Sequence, residues 1–291
     1  MRKKTSFLLI VLIVICIAGF FAYLAQKRII TDTAPPTITL SNETAHVSVH
    51  DPRNALLAGV SATDKRDGDV TDSLVVESIA LLDKTGRFTV SYAAFDKSGN
   101  VAKAQQEAVF TDYTSPRFSL DQPLLFRSGL SFDVLKILDV EDAVDGNLQH
   151  RIRATALDTD TITTIGTHTV QFQVTNSLGD TATLVLPVEI YEINAFDASL
   201  TLTDYLVYLP VGADFNAAAY LDAFTYQKKS TNLRSSLPSN FSLETEGTVQ
   251  TGIPGVYTVG YYVTYTDENV NNPNLPRNHV GYSKLIVVVE G

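Results

Sequence analysis

The feature that most limits what this chain can fold into is a pattern that returns after one domain's length. The run Gly86-Arg-Phe88-Thr-Val90-Ser-Tyr92-Ala-Ala-Phe-Asp96-Lys-Ser-Gly99-Asn100 is answered by Gly166-Thr-His168-Thr-Val170-Gln-Phe172-Gln-Val174-Thr-Asn176-Ser-Leu-Gly179-Asp180. Gly86 and Gly166 stand 80 positions apart, as do Gly99 and Gly179. Upstream of each run lies a turn, Ala62-Thr-Asp64-Lys-Arg-Asp67-Gly68-Asp69 in the first copy and Val140-Glu-Asp142-Ala-Val-Asp145-Gly146-Asn147 in the second. Near-constant offsets between several anchors mark a tandem repeat.

Inside the repeat the apolar residues alternate. Phe88, Val90, Tyr92 and Ala94 interleave with Thr89, Ser91 and Ala93, and Val170, Phe172 and Val174 interleave with Thr169, Gln171, Gln173 and Thr175. Period-two alternation with β-branched and polar partners is the signature of a half-buried antiparallel strand. A third, diverged unit repeats the strand as Gly255-Val-Tyr257-Thr-Val259-Gly-Tyr261-Tyr-Val263-Thr-Tyr265, without the Asp-Gly-Asp turn and with a longer Asn- and Pro-rich loop at 267–279. Short strands punctuated by Gly, Pro, Asn and Asp predict an all-β chain of tandem immunoglobulin-like two-sheet sandwiches. The expected domains are 34–112, 114–192 and a diverged 197–290. Prolines mark the first two entries, at Pro35-Pro36 and Pro116, because proline donates no amide hydrogen and so ends a ladder. Helix is expected at the N-terminus and for a turn or two at Asn216-Ala-Ala-Ala-Tyr-Leu-Asp-Ala.

Ahead of the repeats, Phe7 to Ala25 is an uncharged apolar run of nineteen residues, preceded by Arg2, Lys3 and Lys4. As a helix it would span ~28 Å, about the thickness of a bilayer's hydrocarbon core. The run is longer than a secretory signal's apolar core and ends in no small-x-small cleavage site. It is therefore read as a single-pass anchor over 7–25, with 1–6 as a cytoplasmic tail and the domains outside the cell membrane, by the positive-inside bias. Of 22 Lys and Arg, five lie within residues 1–28, so the remainder carries 17 against 32 Asp and Glu, a formal net of −15. Such a surface disfavours nucleic acid as a partner. Cys16 is the only cysteine, which removes disulfides, thiol nucleophiles and Cys-based zinc sites.

The residues of units one and two resemble a family of bacterial immunoglobulin-like domains that occur in tandem in Gram-positive surface proteins, one of them in a pesticidal crystal protein. The resemblance rests on Ala34-Pro35-Pro36-Thr37-Ile38, on Ala62 to Asp69 and on Gly86 to Asn100, with a looser match in unit two at Asn147, Asn176 and Asp180. It implies a sandwich used as a spacer or recognition module, with no catalytic chemistry.

One group of residues has the composition of a site. Asp64, Asp67, Asp69 and Asp72 lie within nine residues, and Asp96 ends a strand that the turn can approach. Hard oxygens converging on one rim suit calcium, which takes roughly 6–8 such ligands. The expected set is Asp64, Asp67, Asp69 and Asp96. Ordinary turn chemistry reads the same residues differently, because Asp and Asn side chains accept backbone amides in tight turns. The five histidines are scattered and read as surface residues, and no hydrolase or phosphate-loop motif is present. The chain is expected to be a non-enzymatic, membrane-anchored surface protein for adhesion, spacing or contact with a protein or glycan ligand. The alternative is an accessory or sensor subunit of a membrane complex, its helix packing through Ala18, Gly19, Ala22 and Ala25.

Overall fold

Each copy of the repeat folds into two sheets with the same wiring. The computed structural model describes residues 2–30, 32–157, 162–192, 198–233, 237–265 and 279–291. In the first copy the strands are β1 (Thr37–Leu40), β2 (Thr44–Val47), β3 (Val60–Asp64), β4 (Gly68–Asp69), β5 (Val75–Leu81), β6 (Arg87–Phe95) and β7 (Val101–Phe110). They form sheets of order β1-β3-β4 and β2-β7-β6-β5. β2 runs parallel to β7, and the remaining pairs are antiparallel.

The second copy holds β8 (Arg117–Leu120), β9 (Leu125–Arg127), β10 (Leu138–Asp142), β11 (Gly146–Asn147), β12 (Arg153–Ala156), β13 (Gly166–Thr175) and β14 (Thr181–Tyr191). Its sheets are β11-β10-β8 and β12-β13-β14-β9, with β9 parallel to β14. The third copy holds β15 (Ala198–Leu202), β16 (Leu206–Pro210), β17 (Leu221–Tyr226), β18 (Lys229–Asn232), β19 (Phe241–Glu246), β20 (Gly255–Tyr265) and β21 (His279–Glu290). The sheets are β15-β17-β18 and β16-β21-β20-β19, and β16 is parallel to β21. The diverged unit has therefore lost the Asp-Gly-Asp turn but not the topology. Its long loop falls mostly on 266–278, and the entry to it on 193–197, both outside the described residues.

The alternation seen in the sequence becomes burial. Phe88, Val90, Tyr92 and Ala94 of β6 point inward, as do Val170, Phe172 and Val174 of β13 and Val259, Tyr261 and Val263 of β20. Two of these strands bury a tyrosine, whose hydroxyl needs a partner once it leaves water. The Tyr92 hydroxyl lies 2.9 Å from the Leu56 carbonyl and 2.9 Å from Gln106 Oε1. Tyr261 donates to the Ala217 carbonyl at 2.8 Å. Both carbonyls belong to a 3₁₀ turn in the same place of the unit, Arg53–Leu57 and Ala217–Tyr220. The second turn is the helix expected at 216–223, shortened to one turn and capped by Asn216, which accepts from the Ala218 amide.

The chain divides into two compact units at Tyr113 and Thr114. The first sandwich has its own core. The second and third share one continuous core, so they are not separate beads. Their joint also buries a charge: Lys284, only 2% exposed, donates to the Pro187 carbonyl at 3.2 Å and to Glu189 at 3.3 Å. Burial pulls the Lys284 pKa down, with Glu189 opposing that shift. Tyr282 donates to the same carboxylate at 3.0 Å and stacks on Tyr262 with centroids 4.6 Å apart. Arg117 adds a second tie, reaching both oxygens of Glu290 at 2.8 Å while its guanidinium sits 4.5 Å over the Tyr208 ring.

The expected helix forms as α1 (Arg2–Ile30). Residues Val11 to Leu24 of it are exposed. Among the described residues no helix is long and apolar enough to cross a membrane. The side chains of Phe7 to Ile10 and of Ala25, which complete the apolar run, lie outside the described set.

Candidate functional site

The acidic residues of the first sandwich sit in two turns that face each other. Asp64 ends β3, and its Oδ1 accepts from the amides of Arg66 at 2.7 Å and Asp67 at 2.9 Å. Gly68 then takes φ +75°, a left-handed conformation that costs glycine little, and the chain doubles back so that β4 pairs with β3. Asp67 Oδ2 accepts from the Lys97 amide at 2.9 Å and so ties this turn to the one after β6. Asp69 Oδ1 accepts from the Thr71 amide at 2.9 Å. Hydrogen bonds from Thr71, its hydroxyl first, hold the Asp69 carboxyl below its usual range. Asp67 and Asp69 therefore take turn-forming roles.

Asp64 and Asp96 come together, and the third member of the group is Asp32. Carboxylate oxygens of Asp32, Asp64 and Asp96 all lie within 4.8 Å of one another. Asp64 and Asp96 are each 7% exposed. Asp32 comes from the short segment between α1 and β1. Its Oδ1 accepts from the Ala34 amide at 3.1 Å, while its Oδ2 is buried with no hydrogen-bond partner. Asn100 binds this segment to the rim: its Nδ2 lies 2.6 Å from Asp96 Oδ2, 3.2 Å from the Asp32 carbonyl and 3.3 Å from the Ala34 carbonyl.

Three ionised carboxylates at this spacing repel one another, and the repulsion is relieved by a proton or by a cation. Burial pushes the Asp96 carboxyl up, but the Asn100 side chain and the amides of Asn100, Ser98 and Gly99 outweigh it, and the net shift is downward. The donor set is all hard oxygen, which fits a divalent ion of calcium's type. Asp32 carries a legible signal, being the only acidic residue between the apolar run and Thr37. The sequence pattern passed over it because it lies outside the repeated motif.

The second sandwich builds the same turns with different charge. Asp142 Oδ1 accepts from the amides of Val144 at 3.0 Å and Asp145 at 2.8 Å, and Asp145 Oδ2 accepts from the Ser177 amide at 2.6 Å. Asn147 Oδ1 accepts from Gln149 at 3.0 Å, as Asp69 does from Thr71. Where Asp96 stood, Asn176 donates through Nδ2 to Asp142 Oδ2 at 3.1 Å. Asn176 thus gives Asp142 a hydrogen-bond donor at the position where Asp96 sets a second carboxylate near Asp64.

Other candidate groups resolve differently. His46, His50 and His150 are exposed, as expected, and the side chain of His279 lies outside the described residues. His168 is buried at 5% exposure, with Nε2 2.8 Å from the Thr164 carbonyl, which corrects its reading as a surface residue. It occupies the inward position of β13 that Phe88 holds in β6, so strand phase decided its burial.

No family model and no curated protein matches the sequence. Several solved structures do. The chain is similar over 87% of its length, at 15% identity and a TM-score of 0.22, to CBM51-2 in complex with GlcNAc and INT domains from Clostridium perfringens ZmpB, covering 41% of that chain. It is similar over 88%, at 11% identity and a TM-score of 0.21, to the protocadherin GammaB4 extracellular domain, covering 49% of it. It is similar over 88%, at 14% identity and a TM-score of 0.19, to mouse cadherin-23 EC22-24, covering 99% of it. The chain thus spans less than half of the first two. At these scores the likeness places no residue, and the sandwich assignment stands on the strand pairing itself.

Proposed function

We propose that this is a non-enzymatic surface protein that holds tandem immunoglobulin-like sandwiches outside the cell membrane on a single-pass anchor, for adhesion, ligand contact or spacing. A calcium ion held by Asp32, Asp64 and Asp96 ties the first sandwich to the segment that leaves the helix. The meeting of those three carboxylates carries the reading, because one comes from that segment and two from the sandwich rim. The buried, unpartnered Oδ2 of Asp32 supports it. Bound there, the ion would supply positive charge and no chemistry beyond it, and the residues' work is to fix the direction in which the domains project.

The anchor rests on the apolar run Phe7 to Ala25 behind Arg2, Lys3 and Lys4. The Asp67-Gly68-Asp69 turn of unit one and its Asp145-Gly146-Asn147 counterpart in unit two support a resemblance to the bacterial immunoglobulin-like family. Protease treatment of intact cells carrying the full chain tests the topology: residues beyond 34 should be digested while the protein fractionates with membranes. A chain that is protease-resistant in intact cells, or that leaves the membrane in high salt, contradicts it. Hydrolase or transferase activity in the purified chain would overturn the non-enzymatic part.

A further inference from the structure

The third sandwich carries a cup lined by aromatic rings. It is formed by residues of both sheets, near the turn between β17 and β18, with a volume of about 290 Å³. That is close to the lower end of the roughly 300–1,000 Å³ typical of small-ligand sites. Phe224 and Phe241 form its floor, at 1% and 9% exposure, and the half-buried rings of Tyr226 and Tyr265 form its walls. Phe241 is the hub: Phe224, Tyr265 and Tyr226 meet it edge-on with centroids 4.9, 5.0 and 5.3 Å away. Rings locked in this way keep their open faces in place before any ligand arrives.

The rim is polar. Asn240 and Lys229 line it, and among the described residues neither side chain has a hydrogen-bond or ion-pair partner. Lys229 is the one charged residue among those described around the cup, in a protein of formal net charge −10. The adjoining turn is also strained. Gln227 and Lys228 take φ of +48° and +66°, a left-handed pair for which hairpins ordinarily use Asn and Gly. Backbone held in so sparsely populated a region is commoner at ligand-contacting sites than elsewhere.

We infer that this cup binds a saccharide bearing a carboxylate. A pyranose ring has an apolar C–H face, which stacks on an aromatic ring, and an edge of hydroxyls, which needs donors and acceptors such as the Asn240 amide. A purely apolar ligand would cover the half-buried Asn240 amide without pairing it, a cost that a sugar avoids. The ammonium selects an acidic sugar over a neutral one. This inference names the ligand class for the display reading above, and it depends on neither the anchor nor the calcium site.

The test uses the full chain in detergent with EDTA present, so that failure here is separable from failure of the calcium site. Saturation-transfer NMR and calorimetry with D-glucuronic acid and D-glucose as probes should show both binding, the acid more tightly. Tyr226→Ala should weaken both at least tenfold. Lys229→Ala should remove the preference for the acid and leave glucose binding unchanged, and Lys229→Glu should reverse the preference. Both lysine variants change an exposed side chain and keep the test usable if the tyrosine variant does not fold. No binding of either sugar at millimolar concentration overturns the inference, and so does a preference that survives Lys229→Glu.

Discussion

The first and second sandwiches share their turns almost bond for bond and differ in what closes them. Asp64 and Asp142 organise the same loop, and Asp67 and Asp145 make the same tie to the turn across the rim. The rims differ at Asp69 and Asn147, at Asp96 and Asn176, and at Asn100 and Asp180, and the second of these pairs decides what faces the first aspartate of the turn. Asn176 can donate a hydrogen and satisfies Asp142, while Asp96 cannot, and it faces Asp64 and Asp32 with only acceptors. A repeat can keep its fold while one copy closes its rim with an internal amide and the other sets three carboxylates together.

The largest effects should come from the cores, and they separate the two copies. Phe88→Ala and Phe172→Ala each delete a fully buried ring, at a cost of roughly 3–5 kcal/mol. In a calorimetric scan, Phe88→Ala should lower only the transition of the first sandwich. Phe172→Ala should lower the transition of the second and third together, because they share one core. Independent melting of the third sandwich in that variant would break the account of the joint.

The next effect is reciprocal. Asn176→Asp removes a donor from the second sandwich and sets a carboxylate against Asp142, which should cost about 1–3 kcal/mol. Asp96→Asn does the reverse in the first sandwich, and in EDTA it should raise that transition by a few degrees. Urea melts of the two variants check the pair of signs, and equal signs would mean that the rims are not equivalent.

Acid gives the smallest effect. Hydrogen bonds hold Asp69, Asp83, Asp96 and Asp112 of the first sandwich below the ordinary carboxylate value of 3.8, with burial opposing in each case and, at Asp96, the largest single influence. Their folded pKa values are depressed, so their stabilisation is complete above 3.8 and is lost as pH falls through the lower folded values. Melting temperatures recorded from pH 6 downward should hold to about the unfolded value and then drop. A fall that begins well above it would implicate other groups.

Much of this was legible in the residues. Strand phase gave the inward sides of β6, β13 and β20, and the eighty-residue offset matched the repeat of the wiring. The same phase also held the answer for His168, which lies in register with Phe88, and judging histidines as a class hid it. Two things lay beyond local pattern. The shared core of the second and third sandwiches depends on long-range packing around Lys284 and Glu189, which are 95 positions apart. The acidic group needed Asp32, 32 positions before Asp64, because a site is assembled by the fold and not by neighbours in sequence.

The central claim is that the first sandwich, and not the second, is completed by a divalent cation. A ligand that binds only the folded form adds RT ln(1 + [L]/Kd), about 2.7 kcal/mol at a hundredfold excess over Kd. For a domain of this size that corresponds to a rise on the order of 10 °C. The measurement is a calorimetric scan of the full chain in detergent, with millimolar calcium or with EDTA, on the natural sequence and on Asp32→Asn. The account predicts that calcium raises the first-sandwich transition alone and that Asp32→Asn abolishes the rise. A first-sandwich transition that is the same in calcium and EDTA would contradict it, as would an equal rise in both transitions.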